Sequence, residues 1–124
     1  VAVAHILVLD DELDAVVLIK RLFEQKGHRV FGFTEEEQAI AHARANRVDL
    51  AIIDIRLKKI LGVEVLEELK KIAPQIRAVM LTGYPTLESA QKAFELGVSE
   101  YLVKPIDIDE LEEKVENILS SAGE

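Results

Sequence analysis

Five polar side chains stand directly after apolar runs in this chain. Asp54 closes Leu50-Ala51-Ile52-Ile53, Asp10 and Asp11 follow Ile6-Leu7-Val8-Leu9, Thr82 follows Val79-Met80-Leu81, and Lys104 follows Tyr101-Leu102-Val103. Three carboxylates brought within a few ångströms repel one another, and a hard dication among them makes the arrangement tolerable. Magnesium takes oxygen ligands, uses few protein carboxylates and keeps several waters. It also bridges phosphate oxygens and offsets charge in phosphoryl transfer. A carboxylate can itself attack phosphorus and form an aspartyl-phosphate. Lys104 offers a compact positive charge to a phosphoryl oxygen, and the Thr82 hydroxyl offers a hydrogen bond to another. Every group needed to phosphorylate an aspartate is present, provided that the fold brings them together.

The apolar runs read as strands buried on both faces. Strands are expected near 5–9, 29–33, 48–54, 78–82 and 100–104. Amphipathic patterns between them predict helices at about 12–26, 35–45, 62–72, 86–96 and 108–120. The first helix is expected to turn Ala15, Leu18, Ile19, Leu22 and Phe23 inward and to stop at Gly27. In the second, Thr34 should act as cap, with Glu37 completing a capping box. The third should bury Val65, Leu66, Leu69 and Ile72, and the fourth Leu87, Ala90 and Phe94 before a stop at Gly97. In the fifth, Asp107 caps, Glu110 takes the box position, and Leu111, Val115, Ile118 and Leu119 face the core.

Strands alternating with helices imply an α/β protein: a five-stranded parallel sheet, doubly wound in the flavodoxin-like manner, with helices on both faces. In such sheets ligands bind outside the carboxyl ends of the strands, where strand order reverses. With the strand order 2-1-3-4-5, assumed from the general pattern of such folds, Asp10, Asp11 and Asp54 flank one crevice. Thr82 and Lys104 then lie on the next two strands along.

Length and composition bound the rest. The 124 residues suit one domain with a core of about 5–119, and the start at Val1 suggests a fragment excised from a longer chain. The chain is 49% hydrophobic and has no Cys, which excludes a disulfide framework and thiolate metal sites. No apolar run approaches the ~18 residues of a membrane span. A net charge of −8 argues against a nucleic-acid or anionic-membrane surface on this domain. A cytoplasmic location is expected.

With these motifs in place, the chain resembles a receiver domain of two-component response regulators, over essentially all of residues 5–119. The resemblance rests on Asp10-Asp11, Asp54, Thr82-Gly83 and Lys104-Pro105 at consecutive strand ends. It implies that Asp54 accepts a phosphoryl group from a phosphohistidine on a sensor histidine kinase or phosphotransfer protein. It implies Mg²⁺ held by Asp10, Asp11, Asp54 and the backbone carbonyl of Arg56, and Lys104 on the phosphoryl group. Thr82 and Tyr101 resemble the switch pair, and the Lys104-Pro105 bond is expected to be cis. The implied output is an altered face of the fourth helix, fifth strand and fifth helix, read by an attached or separate output domain or by a second copy. Transfer and slow hydrolysis are self-catalysed, so no enzyme acting on a small molecule is implied. The stretch Leu81-Thr82-Gly83-Tyr84-Pro85 with Leu96-Gly97 further resembles receivers attached to AAA+ transcriptional activators.

Some positions depart from the family pattern. Lys58 stands where many receivers have Pro, while Gly62, eight residues after Asp54, matches. Arg56, Lys58 and Lys59 make the adjoining loop basic, which is expected to favour anionic phosphodonors or slow water attack. Other readings compete less well. A phosphorylation-independent interaction module is the alternative, against which the intact set of Asp10, Asp11, Asp54, Thr82 and Lys104 stands. A dehalogenase-like phosphatase would need an acid two residues after the nucleophile, where Arg56 sits. A flavin phosphate would be repelled by Asp10-Asp11-Glu12. His5, His28 and His42 share no ligand spacing and are expected at surface or edge positions.

Overall fold

The structure is a computed structural model that describes residues 3–55, 57 and 61–121. Its strands are β1 (His5–Leu9), β2 (Arg29–Phe33), β3 (Leu50–Asp54), β4 (Arg77–Thr82) and β5 (Glu100–Val103). They alternate with α1 (Leu13–Glu24), α2 (Glu36–Ala45), α3 (Gly62–Ile72), α4 (Leu87–Glu95) and α5 (Ile108–Ser120). All strand pairs are parallel, in the order β2-β1-β3-β4-β5. This is the doubly wound flavodoxin-like fold expected from the alternation.

The apolar runs are continuous because the sheet is covered on both sides. Successive side chains of a strand point to opposite faces. Leu7, Leu9, Ala51, Ile53, Ala78 and Met80 join one core cluster with residues of α2, α3 and α4. Ile6, Val8, Leu50, Ile52, Val79 and Leu81 join the other with residues of α1 and α5. Burying a side chain of this size stabilises by roughly 1.5–3 kcal/mol, so a slip of one residue in register would forfeit much of both clusters.

Three helices differ in detail from the expectation. In α1 the buried residues are Val16, Ile19 and Phe23, while Leu18 is 54% exposed. The face is rotated because Val16 packs onto Gly32 of β2, where any side chain would strike its Cγ1. In α4 only Ala93 is buried; Leu87 is 76% and Phe94 59% exposed. The inward stripe is Ser89, Ala90 and Ala93, followed by Leu96 just past the helix, so Ala90 faces inward as expected while Leu87 and Phe94 do not. Thr34 does not cap α2, whose N-cap is Glu35. It lies one residue too early for its hydroxyl to reach the first unpaired N–H groups. Asp107 does cap α5, accepting from the N–H groups of Asp109 and Glu110. Gly27 and Gly97, at φ 92° and 81°, end α1 and α4 in the left-handed region that glycine tolerates.

The histidines are more deeply engaged than expected. His28 is buried. Its Nδ1 accepts the Ala4 N–H at 3.1 Å, so the neutral ring carries its proton on Nε2 and donates it to Glu116 of α5, also at 3.1 Å. A Lys26–Glu112 ion pair one helical turn away ties the same two segments. His42 stacks against Phe31 and Phe33, with centroids 4.5 and 5.3 Å apart, and its Nε2 is buried without a hydrogen-bond partner. Burial, and then the nearby His5, lowers the His42 imidazole below its ordinary 6.5. The unfolded chain therefore takes up this proton first, and stability falls as pH drops below about 6.5. Replacing His42 with Phe keeps a ring in the stack and removes the titration. Urea unfolding at pH 7.5 and 5.5 should show a smaller acid-induced loss in the variant. Equal losses in the two proteins would refute this assignment.

Candidate functional site

The parallel ladder continues one residue past the strands and pins the polar side chains at their ends. Asp10 N–H donates to Phe33 O at 3.2 Å, Ile55 N–H to Leu81 O at 2.9 Å, and Lys104 N–H to Thr82 O at 2.7 Å. Leu9 pairs with Ile53, so Asp10 and Asp54 leave adjacent strands at the same level. The sheet thus holds their backbones in place whatever charge the side chains carry.

Asp10 and Asp54 are buried, at 1% and 6% exposure, and Asp11 is half-buried. One carboxylate oxygen from each of the three lies within 4.8 Å of the others. At an effective dielectric of 20, two unit charges at such a distance repel by about 3–4 kcal/mol. Lys104 relieves part of this: its Nζ donates to Asp10 Oδ2 and to Asp54 Oδ2, both at 3.2 Å. Burial alone would lower the Lys104 pKa, but Asp10 and then Asp54 outweigh it and raise the ammonium above its ordinary value. The other oxygen of Asp10, Oδ1, accepts the Glu12 N–H at 2.9 Å. The donor set is all oxygen, compact and net anionic, which fits Mg²⁺. The only comparable group among the described residues is the consecutive run Glu35, Glu36 and Glu37, which suits the positive end of α2.

Gly62 closes the loop beside Asp54. Its N–H donates to Ile55 O at 2.7 Å. An added Cβ would strike the Asp54 carbonyl oxygen and lie 2.9 Å from Ile55 Cα. The close approach of α3 to the end of β3 therefore requires glycine here.

Thr82 is fully buried at the end of β4, and its Oγ1 accepts the Tyr84 N–H at 3.0 Å. The hydroxyl proton remains available for donation. Tyr101 stands apart from the acidic cluster. It is half-buried, with its hydroxyl 2.7 Å from Ser89 Oγ and its ring centroid 6.3 Å from Phe94. The Lys104-Pro105 bond is cis. Arg56, Lys58 and Lys59 lie outside the described residues. The structure thus gathers Asp10, Asp11, Asp54 and Lys104, sets Thr82 on the adjoining strand end, and leaves Tyr101 on the α4 side. Ser89 was missed by sequence reasoning, although Thr86-x-x-Ser89 before an amphipathic run is a readable capping pattern.

The fold is a doubly wound parallel sheet with an acidic pocket at the switch point between β1 and β3. The comparisons specify the family. The sequence profile of the response regulator receiver domain matches residues 6–116, and the chain belongs to that family, a component of two-component systems. It is 32% identical to sporulation initiation phosphotransferase F of Bacillus subtilis, over 92% of both chains. It is 31% identical to the transcriptional regulatory protein ZraR of Escherichia coli over 93% of this chain but only 26% of ZraR. A receiver domain from Methanospirillum hungatei superposes with TM-score 0.94 at 28% identity, covering 98% of both chains. Another from Clostridium thermocellum gives 0.86 at 32% identity, covering 95% of each. Among the described residues, no helix is long and apolar enough to cross a membrane.

Charge repulsion in the pocket yields a stability test. Asp11→Asn removes one carboxylate charge and should raise metal-free stability by about 1 kcal/mol, or roughly 4 °C in melting temperature. MgCl₂ should stabilise the wild-type domain by mass action and the variant not at all. Thermal melts with and without MgCl₂ measure both. A variant less stable than wild type without metal would make Asp11 a structural residue instead.

Proposed function

We propose that this domain is a phosphorylation-driven switch in which Asp54 is the phosphoacceptor. The observation that carries this reading is the convergence of Asp10, Asp11 and Asp54 within 4.8 Å, with Lys104 bonded to two of them at 3.2 Å. A carboxylate oxygen of Asp54 attacks the phosphorus of a phosphohistidine on a sensor histidine kinase or phosphotransfer protein. The new O–P bond forms as the N–P bond breaks, and the imidazole leaves. Asp10, Asp11 and Asp54, with the backbone carbonyl of Arg56, would hold Mg²⁺, which when bound neutralises charge on the phosphoryl oxygens. Lys104 shifts from its two carboxylates to a phosphoryl oxygen. Thr82 donates its hydroxyl proton to another, which draws it away from the Tyr84 N–H.

The acyl phosphate adds up to about two negative charges and three acceptor oxygens to the pocket. Movement of Thr82 opens space toward which Tyr101 rotates, and the α4–β5–α5 face changes with it. This is a bias between two populations, not a rigid lever. The domain turns over no small molecule; it catalyses its own phosphorylation and slow dephosphorylation. The changed face is read by an attached or separate output domain, or by a second copy of the chain. A transcriptional output is supported by relatives such as ZraR, of which this chain spans about a quarter. The negative charge of the domain, −8, favours protein partners over direct contact with DNA. A cytoplasmic location follows from the same reading.

Incubation with Mg²⁺ and acetyl phosphate, followed by intact mass, tests the acceptor. The expected result is a gain of about 80 Da (one phosphoryl group), absent in Asp54→Ala. If neither acetyl phosphate nor beryllofluoride modifies or binds the domain in the presence of Mg²⁺, the phosphorylation-independent interaction module becomes the better reading.

A further inference from the structure

The amino-terminal end of the sheet, away from the acidic pocket, holds a second cleft. Its volume is about 650 Å³, within the range of small-molecule sites. The strand starts are tied to one another there as the strand ends are at the other side. Asp49 N–H donates to His5 O at 2.8 Å, and Arg77 N–H to Asp49 O at 3.2 Å. The five residues of β3 set the two ends about 16 Å apart. Among the described residues, the cleft shares none with the set Asp10, Asp11, Asp54, Thr82 and Lys104.

Most of the wall is apolar. Ala4 before β1, Val48 before β3, Ala73 and Ile76 between α3 and β4, and Leu119 of α5 contribute to it. Two arginines stand among them and differ in what they already hold. Arg47 is committed: its Nε and Nη2 each donate to a carboxylate oxygen of Asp49 at 3.0 Å. Asp49 Oδ2 also accepts the His5 N–H at 2.8 Å, so the one carboxylate of the wall is engaged on both oxygens. Arg77 is largely uncommitted. Its Nη1 donates to the Ile118 carbonyl at 3.3 Å. Among the described residues its other four side-chain N–H donors meet no acceptor, and it forms no ion pair. A second cation stands behind the wall. Lys70 Nζ donates to the Ile76 carbonyl at 2.6 Å. Burial, and then the charge of Arg77, lower this ammonium below its ordinary 10.5. In a chain of net charge −8, Arg77 and Lys70 thus make a local positive spot beside apolar surface.

We propose that this cleft binds an organic monocarboxylate with an apolar body, the carboxylate on the open donors of Arg77 and the hydrocarbon against Val48, Ala73, Ile76 and Leu119. The planar guanidinium fork matches a carboxylate through two parallel hydrogen bonds. A single negative charge is favoured because Asp49 stands on the same wall and would repel a dianion more strongly. The site uses no metal and no phosphoryl group, so it stands apart from the function proposed above.

Sodium octanoate is the probe, and amide NMR shifts of the isotope-labelled domain are the readout. Octanoate should give saturable shifts at Val48, Ile76, Arg77 and Leu119, with Asp10 and Asp54 unmoved. Acetate has the same head without the body, and octyltrimethylammonium has the body with the opposite charge. Each should bind at these amides at least about tenfold more weakly. Arg77→Gln should weaken octanoate by about tenfold or more, as loss of a charge-assisted contact does. Ala73→Leu fills the apolar part and leaves Arg77 in place, and it should weaken octanoate to a similar extent. This second variant decides the matter if Arg77→Gln loosens the end of α5, and unchanged β1 and β3 shifts show that a variant is folded. The absence of saturable shifts with octanoate would overturn the site. So would equal binding of the octyl cation, or wild-type affinity in folded Ala73→Leu. Acetate bound as tightly as octanoate would overturn the role of the apolar wall.

Discussion

The interaction on which the site depends is the placement of the Lys104 ammonium between two buried carboxylates. Asp10 and Asp54 are both almost fully enclosed, and each lies 3.2 Å from the same nitrogen. An uncompensated buried charge is strongly destabilising, so the pair survives because a cation is supplied from a third strand. Among the described residues, the Asp10, Asp11 and Asp54 carboxylates lie together beside the Lys104 ammonium.

The compensation works because the sheet dictates the positions. Hydrogen bonds from Asp10, Ile55 and Lys104 carry the ladder one residue beyond the strands. The side chains at that edge cannot relax apart without breaking backbone bonds inside a core packed on both faces. Gly62 contributes to the same constraint by letting α3 meet the end of β3 without a Cβ in the way. Rigidity at this edge and apolar packing below it have one origin, the doubly covered parallel sheet.

How legible this was in the sequence follows from the kind of signal each element carries. Strands β1, β3 and β4 were readable because a strand buried on both faces has no polar position until it leaves the core, and the first polar residue is then the site itself. The caps at Gly27, Gly97 and Asp107 were readable because their chemistry is local. The face of α4 was not. Of the stripe Leu87, Ala90 and Phe94 that periodicity points to, only Ala90 lies inward; the helix lies close on Ala90 and Ala93 and turns Leu87 and Phe94 outward. The face of α1 was misjudged for a related reason: Gly32, on a distant strand, decides that Val16 and not Leu18 is buried. His28 was legible only as a residue without a ligand pattern. Its role in joining Ala4 to Glu116 is set by tertiary contacts from both ends of the chain.

The large side chains that α4 leaves outside are informative about how the domain is divided. Burying Leu87 and Phe94 would stabilise the fold by roughly 1.5–3 kcal/mol apiece, and the fold does without it. Among the described residues, α4 meets the rest of the fold through Ala90, Ala93 and the adjoining Leu96, through Lys92 with Glu67, and through the contact of Ser89 with Tyr101. A polar contact such as that of Ser89 with Tyr101 is worth about 1 kcal/mol net. Segments that move in switching are drawn from the weakly held end of a structure. The same sheet thus carries a rigid acidic edge, and beside it a helix that buries one residue, Ala93.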